Sequence, residues 1–237
     1  MSDLIQRRKL HQEVVDRLEA LILSGVFQVG GSLPSERDLM ERFGVGRPAI
    51  REALMMLERA GLVAISGGER ARVTRPTAAG MVAGLNTSVR QWLSDQNGVS
   101  RLQDARGLLE EGLARRAAET ARDADIALLR LALEANEAAR GDPVNFERTD
   151  VAFHYVLAEV SGNPIFSALH QAMIGWLTEQ RTISLRSPGA EEAAATGHRR
   201  IFDAVAARDP AAAGQEMRRH LDDVARLYWH ARNERAP

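Results

Sequence analysis

The sequence predicts a mainly α-helical protein in two parts, an expectation carried by three observations. Alanine dominates several stretches while aromatics make up only 5% of the chain, a mixture that favours helix over sheet. Apolar residues recur at helical spacing through most of the 237 residues. Strand-like alternation is confined to a short segment around residues 62–74. At roughly 150 residues per domain the length fits one large or two modest domains. The composition turns alanine-rich and purely helical after Arg75-Pro76, which places the parts at 1–76 and 77–237.

In the first part Val14, Val15, Leu18, Leu21 and Ile22 mark a helix over 10–24 that stops at Ser24-Gly25. Pro34-Ser35 opens a second, short helix with Ser35 at the N-cap, Asp38 at N3, Leu39 and Phe43 facing inward, and a stop at Gly44. Only Val45 and Gly46 separate it from a third helix, with Pro48 in its first turn and Ile50, Leu54 and Leu57 on one face, closed by Gly61. Residues 62–65, a turn at 66–68 and the alternating segment 70–74 then read as a small hairpin. Helix, helix, glycine turn, helix and hairpin is the order of a winged helix-turn-helix, whose third helix enters the major groove. Arg47 and Arg51 lie four apart on that helix and project from one face, where an arginine fork reaches guanine or clamps phosphate. A small helical domain with solvated arginines has the same pattern, so the spacing leaves both readings open.

In the second part the periodicity predicts helices over 81–95, 101–120, 124–140, 143–161, 164–185, 190–208 and 210–232, a bundle of six or seven antiparallel helices joined by short connections. Ser100 with Gln103 resembles a capping box, and Asn163-Pro164 and Asp209-Pro210 each place a capping residue before proline.

Composition excludes several functions. With no cysteine there is no disulfide, thiolate nucleophile or cysteine-held metal, so any ion must rest on histidine and carboxylate. No run approaches the roughly 18 apolar residues of a membrane span, and MSDLIQRRKL has no apolar secretion segment, so a soluble, cytoplasmic protein is expected. A net charge of −1 gives no global attraction to nucleic acid.

Asp150 and His154 lie four apart on one helical face and can share one ion. His198, near Ile201 and Phe202, and His220, near Met217 and Val224, sit on the inward stripes of their own helices. Three imidazoles and a carboxylate suit a divalent ion, zinc first, with nickel and manganese also compatible. Taken singly, inward histidines are more often hydrogen-bonded core than ligands, and spacing does not decide between the two. His170 has apolar neighbours and no carboxylate at helical spacing, which marks it as structural or pocket-lining; His11 and His230 read as surface residues.

The run LPSERDLMERFGVGRPAIREALMMLERAGLV, followed by a glycine turn and RARV, resembles the DNA-binding domain of GntR-family bacterial transcription regulators. TDVAFH, GHRRIFDAV and MRRHL resemble the all-helical, FCD-type ligand domain of the FadR-like branch, in the subgroup that holds a metal with one Asp and three His. Within that branch SGGERARVTRP and VAFHYVLAEVSGNPIFSALHQAMIGWL look most like members that repress sialic-acid utilisation. The resemblance implies a homodimer on a palindromic double-stranded operator, with Arg37, Arg47 and Arg51 at the matching DNA-contact positions, and Asp150, His154, His198 and His220 as the metal ligands. Some relatives carry a histidine at the wing tip where this chain has Gly67, so a minor-groove contact there passes to the backbone or to Arg70 and Arg72. Arg106, in DARGLLEEGLARRAA, matches the family's pocket arginine, with Asn163 and Arg181 as further pocket candidates; its plainer reading is a helix-surface partner of Glu110.

The expected function is a non-enzymatic repressor released from DNA by a small carboxylic or sugar acid such as N-acetylneuraminate. Two alternatives stand beside it. One is a regulator whose effector is the ion itself. The other is a metallohydrolase, against which no HExxH pattern occurs and no glutamate beside the histidines stands out as a general base.

Overall fold

The computed structural model describes residues 9–234, and the chain divides into two units after Gly84. In the first unit α1 (Leu10–Leu23), α2 (Glu36–Phe43) and α3 (Arg47–Arg59) surround a core that includes Leu18, Leu39, Ile50 and Leu57. The capping box of α2 forms as its sequence requires: Asp38 N–H donates to Ser35 Oγ at 3.2 Å and Ser35 N–H to Asp38 Oδ2 at 3.1 Å. Gly44 ends α2 at φ 64, a left-handed conformation in which a side chain is strained, and this frees the chain to turn directly into α3.

The hairpin is shorter than the sequence suggests. β1 (Val63–Ala64) pairs antiparallel with β2 (Arg72–Val73), Val63 opposite Val73 and Ala64 opposite Arg72, and Ser32 bridges to Arg72. Val63 and Val73 face the core while Ala64 and Arg72 face out, the alternation that fixes the register. The three helices and this wing are the expected winged helix-turn-helix. The short α4 (Ala78–Ala83) closes the unit.

The second unit is all helical among its described residues: α5 (Asn86–Trp92), α6 (Gln96–Thr120), α7 (Asp123–Ala138), α8 (Pro143–Val160), α9 (Pro164–Trp176), α10 (Thr178–Leu185), α11 (Ala190–Ala206) and α12 (Pro210–Asn233). α6, α8, α11 and α12 share a core that includes Phe153, Leu157, Ile201 and Met217, with Leu129 and Leu133 of α7. No helix is long and apolar enough to cross a membrane.

Three details depart from the expected helices. The single helix expected over 81–95 is two, α4 and α5, interrupted at Gly84-Leu85. α6 starts five residues before 101, because Asp95 accepts the Gly98 N–H at 2.7 Å and caps the helix ahead of Ser100. The helix expected over 164–185 breaks at Leu177, where Thr178 Oγ donates to the carbonyls of Ile174 and Gly175 and engages the α9 carboxyl end.

Replacing the α2 cap should be felt locally. Ser35→Ala is expected to lower stability by about 1 kcal/mol, read as a shifted urea midpoint. An unshifted midpoint would show the cap to be energetically idle.

Candidate functional site

Two groups of residues carry chemistry, one in each unit. In the first, the capping turn that starts α2 places Glu36 against the start of α3. Its carboxylate lies 2.8 Å from Arg51 Nε and 3.6 Å from Arg47 Nε, so both arginines are gathered on one face by a residue the sequence reading passed over. Both guanidiniums are about 60% exposed, and exposed ion pairs of this kind contribute only about 0–1 kcal/mol, so phosphate or guanine can take them over. Arg37 is exposed on α2 and paired with Glu41 at 3.2 Å. At the wing tip Gly67 has open space around it and Arg70 is exposed, whereas Arg72 Nη1 is turned back onto the Gly30 carbonyl at 3.3 Å.

In the second unit Asp150 and His154 on α8, His198 on α11 and His220 on α12 are all buried. The Nε2 atoms of His198 and His220 lie 3.2 and 3.3 Å from His154 Nε2. Asp150 Oδ1 is 3.4 Å from His198 Nε2. Two nitrogens bound about 2.0–2.1 Å from one ion at ordinary angles are separated by about 2.9–3.4 Å, which is the spacing seen.

The hydrogen bonds show why an ion belongs there. Thr149 Oγ1 donates to the carbonyls of Asn145 and Phe146 and therefore accepts from Asn136 Nδ2 at 3.1 Å. That orients the amide so that Asn136 Oδ1 accepts from His198 Nδ1 at 2.9 Å, leaving a bare lone pair on His198 Nε2. On the other side His154 Nδ1 lies 2.5 Å from Glu110 Oε2, an ion-pair contact in which neither atom has a hydrogen bond of ordinary geometry. His154 Nε2 and His198 Nε2 thus meet at 3.2 Å in a core walled by Phe153, whose ring stacks on His198 at 4.5 Å. A cation between the converging nitrogens would be coordinated by them. Among the described residues His154, His198 and His220 bring their nitrogens close enough together to hold one ion, whereas Asp150, 3.4 Å from His198 Nε2, lies outside that group; side-chain type leaves zinc, nickel and manganese equivalent.

Electrostatics agree with neutral ligands. Burial, reinforced by the neighbouring imidazoles, holds His198 and His220 well below the ordinary histidine range, and burial also lowers His170, to about 4. Burial pushes Asp150 up against the pull of His154 and Arg106. Burial acts on Glu110 in the same direction, yet Arg106 and His154 outweigh it and hold that carboxyl well below its usual range.

The α12 ligand depends on a glycine in α11. A Cβ on Gly197 would lie 2.5 Å from His220 Nδ1 and 3.1 Å from its Cγ, so the ring reaches its place only because residue 197 has no side chain.

Beside this cluster is a cavity of about 220 Å³ whose lining includes Gln103, Arg106, Gln180, Arg181 and Trp229. Arg106 and Arg181 also line a smaller recess with Asp150 and His220, which connects the arginines to the ligand cluster. Arg181 is paired with Glu147 at 3.3 Å, and the buried Gln180 Oε1 has no partner. Asn163 is elsewhere, capping α9 by accepting the Ile165 N–H at 3.0 Å. His230 is exposed as expected, but His11 is half-buried and bound to Glu52 at 3.0 Å.

Several of these residues escaped the sequence reading. Glu110 and His170 form a second cluster with His154. Glu110 is the glutamate beside a histidine that the sequence did not single out, and His170 finds its carboxylate on another helix, where helical spacing gives no hint. Asn136 carried a usable signal, a polar residue on the buried stripe of α7 with Leu129 and Leu133.

Residues 10–73 match the family described as "Bacterial regulatory proteins, gntR family", and residues 101–223 match the FCD domain. The chain is 43% identical over 229 residues to the HTH-type transcriptional repressor NanR of Citrobacter rodentium, covering 96% of this chain and 88% of that protein. It is 42% identical over 234 residues to NanR of Klebsiella aerogenes, with the same coverage. Among solved structures it is similar to Streptococcus agalactiae GntR, with a TM-score of 0.63 and 27% identity, covering 91% of this chain and 99% of that one.

Two outcomes follow from the geometry. Gly197→Ala should displace the His220 ring and weaken zinc binding about 10- to 100-fold, the usual effect of disturbing what orients a ligand; unchanged affinity in a chelator competition would show that His220 tolerates the shift. The metal-free protein should lose stability as pH falls from about 6.5 toward 4, because the unfolded chain takes up protons that buried His170, His198 and His220 refuse. Asp150, shifted upward, works in the opposite direction but is one group against three. Equal unfolding temperatures at pH 7 and pH 5 would contradict neutral imidazoles.

Proposed function

Because the chain belongs to the GntR family of bacterial regulatory proteins, with an FCD domain, we propose that it is a homodimeric, cytoplasmic repressor whose palindromic operator is released when a small carboxylic or sugar acid enters the second unit. The observation that carries this reading is the cavity that brings Arg106, Arg181 and the unpartnered Gln180 Oε1 next to the recess holding His220 and Asp150. Its relatives named transcriptional repressor NanR support repression, and the sialic-acid resemblance makes N-acetylneuraminate the first acid to test.

Charge defines the ligand class. Asp150 and Glu110 carry one negative charge each and Arg106 one positive, while Arg181 is neutralised by Glu147. A divalent ion held by Asp150, His154, His198 and His220 leaves this buried cluster with a single excess positive charge, which one carboxylate balances. The ion, when bound, would supply positive charge and Lewis acidity toward the carboxylate. Arg106 supplies a fork for the carboxylate oxygens and Gln180 a polar group for a hydroxyl or amide.

On DNA, Arg47 and Arg51 are proposed to reach bases or phosphate from the start of α3, Arg37 from α2, and Gly67, Arg70 and Arg72 from the wing. Only a modest coupling is needed: an acid that favours the non-binding arrangement by about 1–3 kcal/mol changes operator affinity about 5- to 150-fold. Glu110, although close to His154, is held ionised by Arg106, and the family assigns regulation rather than catalysis.

Thermal unfolding of zinc-loaded and EDTA-treated protein against N-acetylneuraminate, lactate, galactonate and citrate tests the reading. One acid should stabilise only the zinc-loaded protein, by about 2.7 kcal/mol at a hundredfold excess over its dissociation constant. Equal stabilisation after EDTA would remove the ion from the ligand site, and operator release by zinc alone would make the ion the effector.

A further inference from the structure

His170 is 1% exposed on α9, and neither of its ring nitrogens has a hydrogen-bond partner. Buried polar groups left unpaired are uncommon and call for a reason. Glu110 Oε1 lies 3.8 Å from His170 Nε2, too far for a hydrogen bond, and is already bound by Arg106 Nε at 2.5 Å. The other oxygen, Oε2, lies 2.5 Å from His154 Nδ1, a close ion-pair contact in which neither atom has a hydrogen bond of ordinary geometry. One carboxylate oxygen therefore has two donors within reach, one engaged and one idle.

The engaged donor faces the cavity. Arg106 lines both the main cavity and the recess beside His220, so an entering carboxylate competes with Glu110 for its guanidinium. Glu110 is 2% exposed, so its carboxylate depends on neighbouring side chains for pairing. A shift of about 1 Å brings His170 Nε2–H to hydrogen-bond distance.

We propose that Arg106 and His170 exchange on Glu110 Oε1 when a carboxylate enters the cavity: the arginine turns to the ligand and the histidine takes its place. This rests on the acid-responsive reading above and extends it to a mechanism. Glu110 stays paired in both states, so His154 keeps its orientation and the ion its ligand while the acid is bound. Arg106 and Glu110 are on α6 and His170 is on α9, so the exchange draws α9 toward α6. A signal that begins as a side-chain contact thereby becomes a movement between helices.

A mutant cycle in the full-length protein tests the exchange without any acid, with Arg106→Ala standing in for an arginine withdrawn by ligand. Zinc affinity is read by competition with a chromophoric chelator. Arg106→Ala alone should weaken zinc less than tenfold, because His170 takes over. In a His170→Phe background the same substitution should weaken it by at least about tenfold more, the worth of one hydrogen bond to a charged group. His170→Gln, which keeps a donor, should restore the smaller loss. Equal losses in all backgrounds would overturn the proposal. Should the double variant fail to fold, the His170 Nε2–H signal of ¹⁵N-labelled Arg106→Ala decides instead: a hydrogen-bonded proton absent from the wild type supports the exchange, and its absence overturns it. Titration of wild type with N-acetylneuraminate separates the two levels. If the acid binds but the cycle is additive, the exchange falls and the acid-responsive reading stands. If the cycle is non-additive but none of the four acids binds, the acid-responsive reading falls and takes the ligand-driven step with it, leaving only the capacity of His170 to replace Arg106 on Glu110.

Discussion

Three buried imidazoles point their Nε2 atoms at one place, those of His198 and His220 lying 3.2 and 3.3 Å from that of His154. The convergence is supported from every side. Asn136, oriented by Thr149 and the Phe146 carbonyl, sets the proton on His198. Glu110 lies against His154 Nδ1, and the missing side chain of Gly197 makes room for His220. Three helices of the bundle, α8, α11 and α12, are thereby tied to one point, and cation binding adds directly to the stability of the helices that supply the ligands.

The same cluster explains why the cavity is where it is. The break at Leu177 separates α10 from α9, and α10 carries Gln180, Arg181 and Ser184 against α12, with Gln180 and Arg181 on the cavity wall. A continuous helix from 164 to 185 would keep one direction and could not place these residues independently of His170. Polar groups that are buried but incompletely paired, Gln180 Oε1 and His170 among them, lie around this cavity and the adjoining histidine cluster.

In the first unit the governing contact is weaker and exposed by design. Glu36 gathers Arg47 and Arg51 through Nε, holding two long side chains in a common direction. The pairs are exposed and cheap to break, which suits the DNA-contact role proposed for these arginines: tight internal pairing would compete with phosphate, and no pairing would leave more side-chain freedom to lose on binding.

What was legible in the sequence was mostly local. The three helices and wing of the first unit, the Ser35 cap, the glycine stop at 44 and most helices of the second unit follow from periodicity and capping, which act within a few residues. The inward faces of His154, His198 and His220 were visible for the same reason. What spans helices was not: that Glu110 meets His154 and His170, that Asn136 orients His198, and that Glu36 holds both arginines depend on how helices pack. The breaks near Gly84 and at Leu177 also went unread, since both lie in sequence that keeps its apolar character. The sequence by itself determined the elements, their inward faces and the family. Tertiary structure alone decided which inward groups touch, because packing brings together side chains as much as 126 residues apart, and no short-range pattern records a contact of that kind.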